Sequence, residues 1–257
     1  MGAEGLPRGR PAPHDRLLPR VPLKPELTVV VPCRDEEGSV VRYPDELLAP
    51  LDALGLRWEA VIVDDGSRDG TAAAAEALAA RRPEVRVVRL PANRGLGGAL
   101  RAGFSAAEGE WIATIDADLT FRPASLGELL AEAKARDADL AAGSPFLRRG
   151  DLDAVPWARR LPSLLLNSLY RGLFGFALSA YTPVFRLYRA GPLRELPLES
   201  EGFEINAEIA ALAMTRHWRV AEVPVPLGVR AAGVSKLARG RELSRHLRLI
   251  ARLLASS

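Results

Sequence analysis

Apolar residues fall along this chain in short compact runs, each followed by a polar turn and then by a segment of helical period. Leu27–Val31 is stopped by Pro32, and Trp58–Val63 runs into Asp64-Asp65-Gly66-Ser67-Arg68-Asp69-Gly70-Thr71. Val85–Leu90 precedes Asn93-Arg94-Gly95-Leu96-Gly97-Gly98-Ala99, and Trp111–Ile115 runs into Asp116-Ala117-Asp118-Leu119-Thr120. Runs rich in β-branched and aromatic residues bounded by such turns predict buried strands. The segments between them predict helices to about Leu54, over 71–81, to about Ala107 and over 123–136, with a further short strand at 139–142. Thr71 or Asp69 can cap the second helix, and its alanines favour it. Strands alternating with helices at this spacing predict an α/β protein with a mostly parallel, doubly wound sheet through about residue 145.

In such a sheet the carboxyl ends of the strands lie along one edge, where open α/β sheets bind ligands. Three strand ends bring acids there: Asp35 with Glu36, Asp64 with Asp65, and Asp116 with Asp118. Side chains at i and i+2 of an extended segment point the same way, so Asp116 and Asp118 can face one hard divalent cation. Each set has a plainer explanation by itself, since Asp is a common turn residue and acids suit the first turn of a helix. Together they repel one another unless a cation or ligand donors offset the charge. The glycines at 95, 97 and 98 could cradle a phosphate at a helix N-terminus, although neither the dinucleotide-binding spacing nor a P-loop lysine accompanies them.

The chain has 257 residues, 48% hydrophobic and 26% charged, which predicts one large globular domain or one and a half. A single cysteine, Cys33, excludes an internal disulfide and suits a reducing compartment, while His14, His217 and His246 show no ligand spacing. The net charge of +3 is uneven, with a mildly acidic body and a basic tail from 230 onward. The tail has few aromatic residues for stacking, which argues against nucleic acid. No apolar run reaches the ~18–20 residues of a spanning helix. Residues 1–26, rich in proline and arginine and without an apolar core, predict a disordered leader rather than a secretory signal. Leu161–Leu178 is apolar but interrupted by Asn167, Ser168, Arg171, Gly172 and Gly175, which suits either an interfacial helix pair or a buried helix covering the sheet. Over 239–254, Leu243, Leu247, Ile250 and Leu254 form one helical stripe, with Arg241, Arg245, Arg248 and Arg252 around the rest of the cylinder. This basic amphipathic helix suits a membrane surface or an oligomer contact.

Taken in order, Val30-Val31-Pro32 with Asp35-Glu36, Val63-Asp64-Asp65-Gly66-Ser67-x-Asp69-Gly70-Thr71, Asn93-x-Gly95-x-Gly97-x-Ala99 and Asp116-Ala117-Asp118 resemble glycosyltransferase family 2 with the GT-A (Rossmann-like) fold. Arg230-x-x-Gly233-x-Ser235-Lys236 resembles the closing motif of its dolichol- or polyprenol-phosphate mannosyltransferase branch. The resemblance implies a domain over 27–237, with a nucleotide-binding half over 27–145 and an acceptor half over 146–237, followed by the amphipathic helix of 238–257. It implies inverting, metal-dependent transfer of a hexose, mannose or glucose, from a GDP- or UDP-sugar to a polyprenyl phosphate, by a protein peripheral to the cytoplasmic face of a membrane.

On the same resemblance Pro32, Asp35, Glu36, Val63, Asp65 and Ala117 border the nucleoside, and Asp116, Asp118 and Thr120 hold Mg²⁺ or Mn²⁺ on the diphosphate. Arg230 and Lys236 contact phosphates and belong with the two aspartates to the catalytic set. A lipid phosphate is already an anion and needs positioning more than a base. A soluble or protein-borne hydroxyl acceptor would need one, for which Glu204 is the candidate. A non-catalytic nucleotide-binding or membrane-docking module on the same scaffold is a further reading, against which the retained charge pair argues. The chain departs from the branch at Thr120, where some relatives place a metal-binding Gln, and at Pro145, where an arginine is usual and Arg148 and Arg149 lie near. Ala180–Arg186 also lacks the Asp and Ser-Gly seen before Phe-Arg. Acceptor identity depends on these departures more than donor chemistry does.

Overall fold

The computed structural model describes residues 24–148, 157–226 and 239–255. Five strands lie where the apolar runs place them: β1 (Leu27–Cys33), β2 (Trp58–Asp64), β3 (Val85–Arg89), β4 (Trp111–Thr114) and β5 (Leu140–Ser144). Two more, β6 (Arg186–Arg189) and β7 (Val220–Pro224), complete a seven-stranded sheet in the order β3-β2-β1-β4-β6-β5-β7. All pairings are parallel except those of β6, which runs antiparallel to both β4 and β5. The architecture is therefore α/β with a mostly parallel sheet.

Strand residues alternate between two covered faces, which is why the runs are apolar throughout rather than at every second position. Val29, Val31 and Ile62 join a core completed by α1 (Glu37–Val40), α2 (Ala49–Asp52), α3 (Thr71–Ala79) and α5 (Ser125–Ala135). Val30, Val61 and Val63 face α4 (Gly95–Ala106), with α6 (Trp157–Phe174), α7 (Ala190–Arg194), α8 (Ile205–Thr215) and α9 (Arg239–Ala255) on the same side. The continuous first helix expected to Leu54 is broken instead. A π-helical turn, Pro44–Leu48, separates α1 from α2, because Pro44 and Pro50 lack the N–H groups that an uninterrupted helix uses.

The apolar stretch 161–178 contains one helix rather than a pair, buried along one face and exposed along the other. The inner face of α6 buries Tyr170, whose hydroxyl lies 2.8 Å from His246 Nδ1 of α9, and Asn167, whose Oδ1 accepts the Tyr181 N–H at 2.8 Å. The outer face leaves Leu165 64% exposed, with Leu169 and Leu173 also open, and Phe176, just past the helix end, is exposed too. α9 seats itself through Leu249, Ile250 and Leu253, so the anticipated leucine stripe divides: Ile250 is buried, while Leu243, Leu247 and Leu254 are exposed. Among the described residues no helix is long and apolar enough to cross a membrane.

α4 approaches β1 and β2 through Gly103, where an added Cβ would lie 2.3 Å from Val30 Cγ1 and 3.2 Å from Val63 Cγ2. Both valines are stiff at χ1 and buried, so they cannot swing away. Gly103→Ala is expected to lower stability by about 1–2 kcal/mol, overpacking outweighing the gain in helix propensity. A reduced urea midpoint at unchanged m-value is the reading; an unchanged or raised midpoint would mean that the helix has slack over the sheet.

Candidate active site

Because β1, β2, β4 and β5 are parallel, Cys33, Asp64, Thr114 and Ser144 all end at one edge of the sheet, and antiparallel β6 begins there at Arg186. The Asp65 N–H donates to the Cys33 carbonyl at 2.9 Å, tying the first two ends together. Burial pushes the Cys33 thiol up to about 12, so it remains neutral and unreactive. Asp35 adopts a left-handed backbone with φ 51°, which Asp tolerates better than most residues. This turns its Oδ1 to accept the Arg68 N–H at 2.8 Å, while its own N–H donates to Ser67 Oγ at 3.0 Å. The Glu36 N–H donates to Thr71 Oγ1 at 2.8 Å, and Glu36 Oε2 accepts Ser39 Oγ at 3.0 Å. The loops after β1 and β2 are thereby woven into one surface.

Asp65 is 4% exposed, and its Oδ1 accepts the Arg94 N–H at 2.6 Å. Burial raises its pKa above the ordinary carboxylate value, against the opposing pull of that N–H and of the Arg34 guanidinium. Gly66 has φ 64°, and a Cβ there would lie 2.9 Å from the backbone of Ala92 and Asn93, so the Asp-Asp-Gly turn requires glycine for this close approach. Beside it opens a cleft of about 370 Å³ lined by Asp64, Gly66, Ser67, Arg89, Leu90 and Pro91.

Past Thr114 the chain leaves β4, and the half-exposed Asp116 and Asp118 flank the buried Ala117. The alternation expected of an extended end therefore survives, although a turn closes at once: the Leu119 N–H donates to the Asp116 carbonyl at 3.0 Å, and Leu119 has φ 52°. Asp118 Oδ1 accepts the Thr120 N–H at 3.1 Å and the Thr120 hydroxyl at 2.7 Å. In this arrangement Thr120 orients Asp118. From beneath, the Tyr43 hydroxyl donates to the Ala117 carbonyl at 2.9 Å and lies 3.4 Å from Cys33 Sγ. Burial pushes the Tyr43 pKa well up, so the phenol keeps the proton it donates. Tyr43 sits between Arg42 and Pro44 in the broken first helix, where the sequence offers no sign distinguishing it from ordinary core.

Two carboxylates and a hydroxyl, all oxygen donors, fit a hard divalent cation. Among the described residues no group of three or more His, Cys, Asp or Glu side chains is arranged to hold a metal. A cation at Asp116 and Asp118 would therefore complete its shell with water or ligand oxygens, as Mg²⁺ commonly does.

Other expected contributors stand differently. Val63 pairs in register with the half-buried Pro32, but its side chain is buried under α4, so it offers the edge only its backbone. The anticipated phosphate cradle at α4 is filled by protein. Gly97 N–H donates to the Glu201 carbonyl at 2.8 Å, and a Cβ on Gly97 would lie 2.0 Å from the Ser200 carbonyl oxygen. Glu204 is 5% exposed, with Oε1 accepting the Gly202 N–H at 3.0 Å, and is closed to an acceptor hydroxyl in this conformation. Arg230, Gly233, Ser235 and Lys236, like Arg149 and the leader to residue 23, lie outside the described residues. Arg148 is exposed.

A hydroxyl relay unforeseen in the sequence marks the other half of the edge. Ser144 Oγ and Ser179 Oγ lie 2.6 Å apart, and Ser179 donates from Oγ at 2.8 Å to Glu222 Oε1. Burial raises the Glu222 pKa, with the Ser179 donors opposing.

The description Glycosyl transferase family 2 fits residues 28–197. Similar curated proteins include dodecaprenyl-phosphate galacturonate synthase of Rhizobium johnstonii, 33% identical over 90% of this chain and 66% of that protein. Dolichol-phosphate mannosyltransferase of Pyrococcus furiosus is 33% identical over 89% of this chain and 64% of its own length. Polyprenol monophosphomannose synthase of Mycolicibacterium smegmatis is 34% identical over 69% of each. The chain thus spans slightly under two thirds of the length of the first two. Among solved structures, glucosyl-3-phosphoglycerate synthase from Mycobacterium tuberculosis, in complex with Mn²⁺, uridine diphosphate and glucosyl-3-phosphoglycerate, superposes with a TM-score of 0.63 over 90% of this chain and 79% of that chain at 24% identity. The two share a fold.

Removing the hydroxyl in Tyr43→Phe leaves the buried Ala117 carbonyl without its donor. The expected cost is about 1–3 kcal/mol, seen as a Tm lower by several degrees. Mn²⁺-dependent stabilisation by nucleotide is expected to weaken as well. An unchanged Tm and metal response would mean that the turn carrying Asp116 and Asp118 holds its shape unaided.

Proposed function

The chain belongs to glycosyl transferase family 2, and from that membership we propose that it transfers a hexose, mannose or glucose, from a GDP- or UDP-sugar to a polyprenyl phosphate at the cytoplasmic face of a membrane. The observation that carries this reading is the pair Asp116 and Asp118, braced by Thr120 and Tyr43 on the edge shared with Asp65. In it, residues 27–145 form the donor half and 146–237 the acceptor half. Pro32, Asp35, Glu36, Asp65, Ala117 and the backbone at Val63 border the nucleoside, while Arg230 and Lys236 approach phosphate oxygens.

Bound at Asp116 and Asp118, with Thr120 beside them, Mg²⁺ or Mn²⁺ supplies Lewis-acid neutralisation of the departing diphosphate. The protein's own work is to hold the two carboxylates at a fixed separation from the nucleoside subsite. An acceptor phosphate oxygen attacks the anomeric carbon from the opposite face, the bond to the diphosphate oxygen breaks, and the configuration inverts. That nucleophile arrives as an anion and leaves no proton to remove, which agrees with the burial of Glu204. The exposed leucines of α6 and α9 suit a lipid boundary, where a polyprenyl chain is found.

A panel of nucleoside diphosphates and nucleotide sugars, each with and without Mn²⁺, tests the donor site by thermal shift. One nucleotide is expected to stabilise the fold only with metal, by about 2.7 kcal/mol at a hundredfold excess over Kd and read as a raised Tm, and Asp118→Ala is expected to abolish the effect. The absence of any metal-linked shift would overturn the donor site. Incorporation of labelled sugar into an organic-extractable, mild-acid-labile product is expected with polyprenyl phosphate; label appearing only on a water-soluble product would move the acceptor to a hydroxyl.

A further inference from the structure

Glu208 on α8 is 1% exposed, far from the usual place of a carboxylate. Its Oε1 accepts the Glu199 N–H at 3.1 Å, and its Oε2 accepts the Ser200 N–H at 2.9 Å. Its counter-charge is Arg252 of α9, which donates from Nη2 to Glu208 Oε1 and from Nη1 to Glu199 Oε2 at 2.6 Å. Segment 199–200 is therefore clamped between α8 and α9.

The same segment turns its carbonyls the other way, onto α4. The Ser200 carbonyl accepts Arg101 Nη1, and the Glu201 carbonyl accepts the Gly97 N–H at 2.8 Å. Gly95 and Gly97 leave no space between the two backbones, since a Cβ on Gly95 would lie 2.3 Å from the Glu201 carbonyl oxygen. Immediately before α4, the Arg94 N–H makes its 2.6 Å bond to Asp65 Oδ1. Direct contacts thus run without a gap from Arg252 through Glu208 and 199–201 to the start of α4 and the nucleoside subsite.

We propose that Glu208 and Arg252 are positioning residues for the donor nucleotide, acting through segment 199–201 on the start of α4 and on Asp65. The inference rests on the reading that Asp65 borders the nucleotide. Its physical basis is the cost of a buried carboxylate left without its cation, which is relieved when the carboxylate turns toward water. That movement frees the Glu199 and Ser200 amides and loosens the carbonyls that hold α4. Asp65 then accepts its amide from a start of α4 that is no longer fixed. Coupling through packed contacts of this kind is worth roughly a 2- to 30-fold change in affinity.

The experiment measures Kd for UDP and for GDP, each with Mn²⁺, by titration calorimetry on the full chain, together with amide hydrogen exchange. The proteins are wild type, Arg252→Met, Arg252→Lys and Arg101→Met, the last loosening the same segment from the α4 side while Glu208 stays paired. Expected for Arg252→Met is a several-fold weaker Kd for whichever nucleotide the wild type binds, partial recovery in Arg252→Lys, and faster exchange confined to residues 93–97 and 199–202. Arg101→Met is expected to show the same loss, and it carries the test alone if Arg252→Met does not fold. Unchanged Kd in the folded variants, or faster exchange spread through β1 and β2, would overturn the positioning role. Failure of the wild type to bind either nucleotide would instead sink the donor-site reading, and this inference with it.

Discussion

Parallel strands must deliver their carboxyl ends together, and in this chain those ends carry acids. The repulsion that follows is met largely by main-chain amides. Asp35 takes the Arg68 N–H, Asp64 that of Ser67, Asp65 that of Arg94, Asp69 that of Thr71 and Asp118 that of Thr120. Hydrogen bonds to an ionised acceptor are stronger than neutral ones, and here each also fixes a loop. The charge that would make the edge unstable is what organises it, so these loops are held by the protein's own amides.

The two halves of the edge are built by different means. On the β1–β2 side the loops interlock with one another and with the start of α4. On the β5–β7 side short side-chain bonds do the work, from Ser144 through Ser179 to Glu222. β6 joins them: entering from the edge and running backward, it brings the fully buried Arg186 between β4 and β5, with its guanidinium donating to the carbonyls of Ala180 and Asn206.

This division decides what the sequence reveals. The part up to residue 145 is legible because each strand is a continuous apolar run with a turn of characteristic composition after it, and because local spacing alone sends Asp116 and Asp118 to a strand end. Past residue 145 the signals fail for physical reasons. β6 is flanked by Arg186 and Arg189, the second stacked 4.8 Å over the Trp111 ring, and a buried arginine whose Nη groups bond carbonyls elsewhere in the chain cannot be told from a surface one. α8 is buried on nearly every side and has no polar face for a period to show. Tyr43 and Glu208 matter through partners 74 and 44 residues away. The glycines of α4 were misread because spacing shows that a backbone is approached closely without showing by what.

The antiparallel insertion of β6 also sets an order of events for the chain as it is made. β4 finds β1 already present, but its other edge needs a strand that lies beyond all of α5, β5 and α6. Until residues 186–189 emerge, that edge offers unpaired amides and carbonyls, and β5, parallel to β4 and synthesised first, is the nearest strand able to occupy the slot wrongly. The order of synthesis thus exposes this edge to mispairing, and the long helix between β5 and β6 spans the interval in which a nascent chain most needs a holdase.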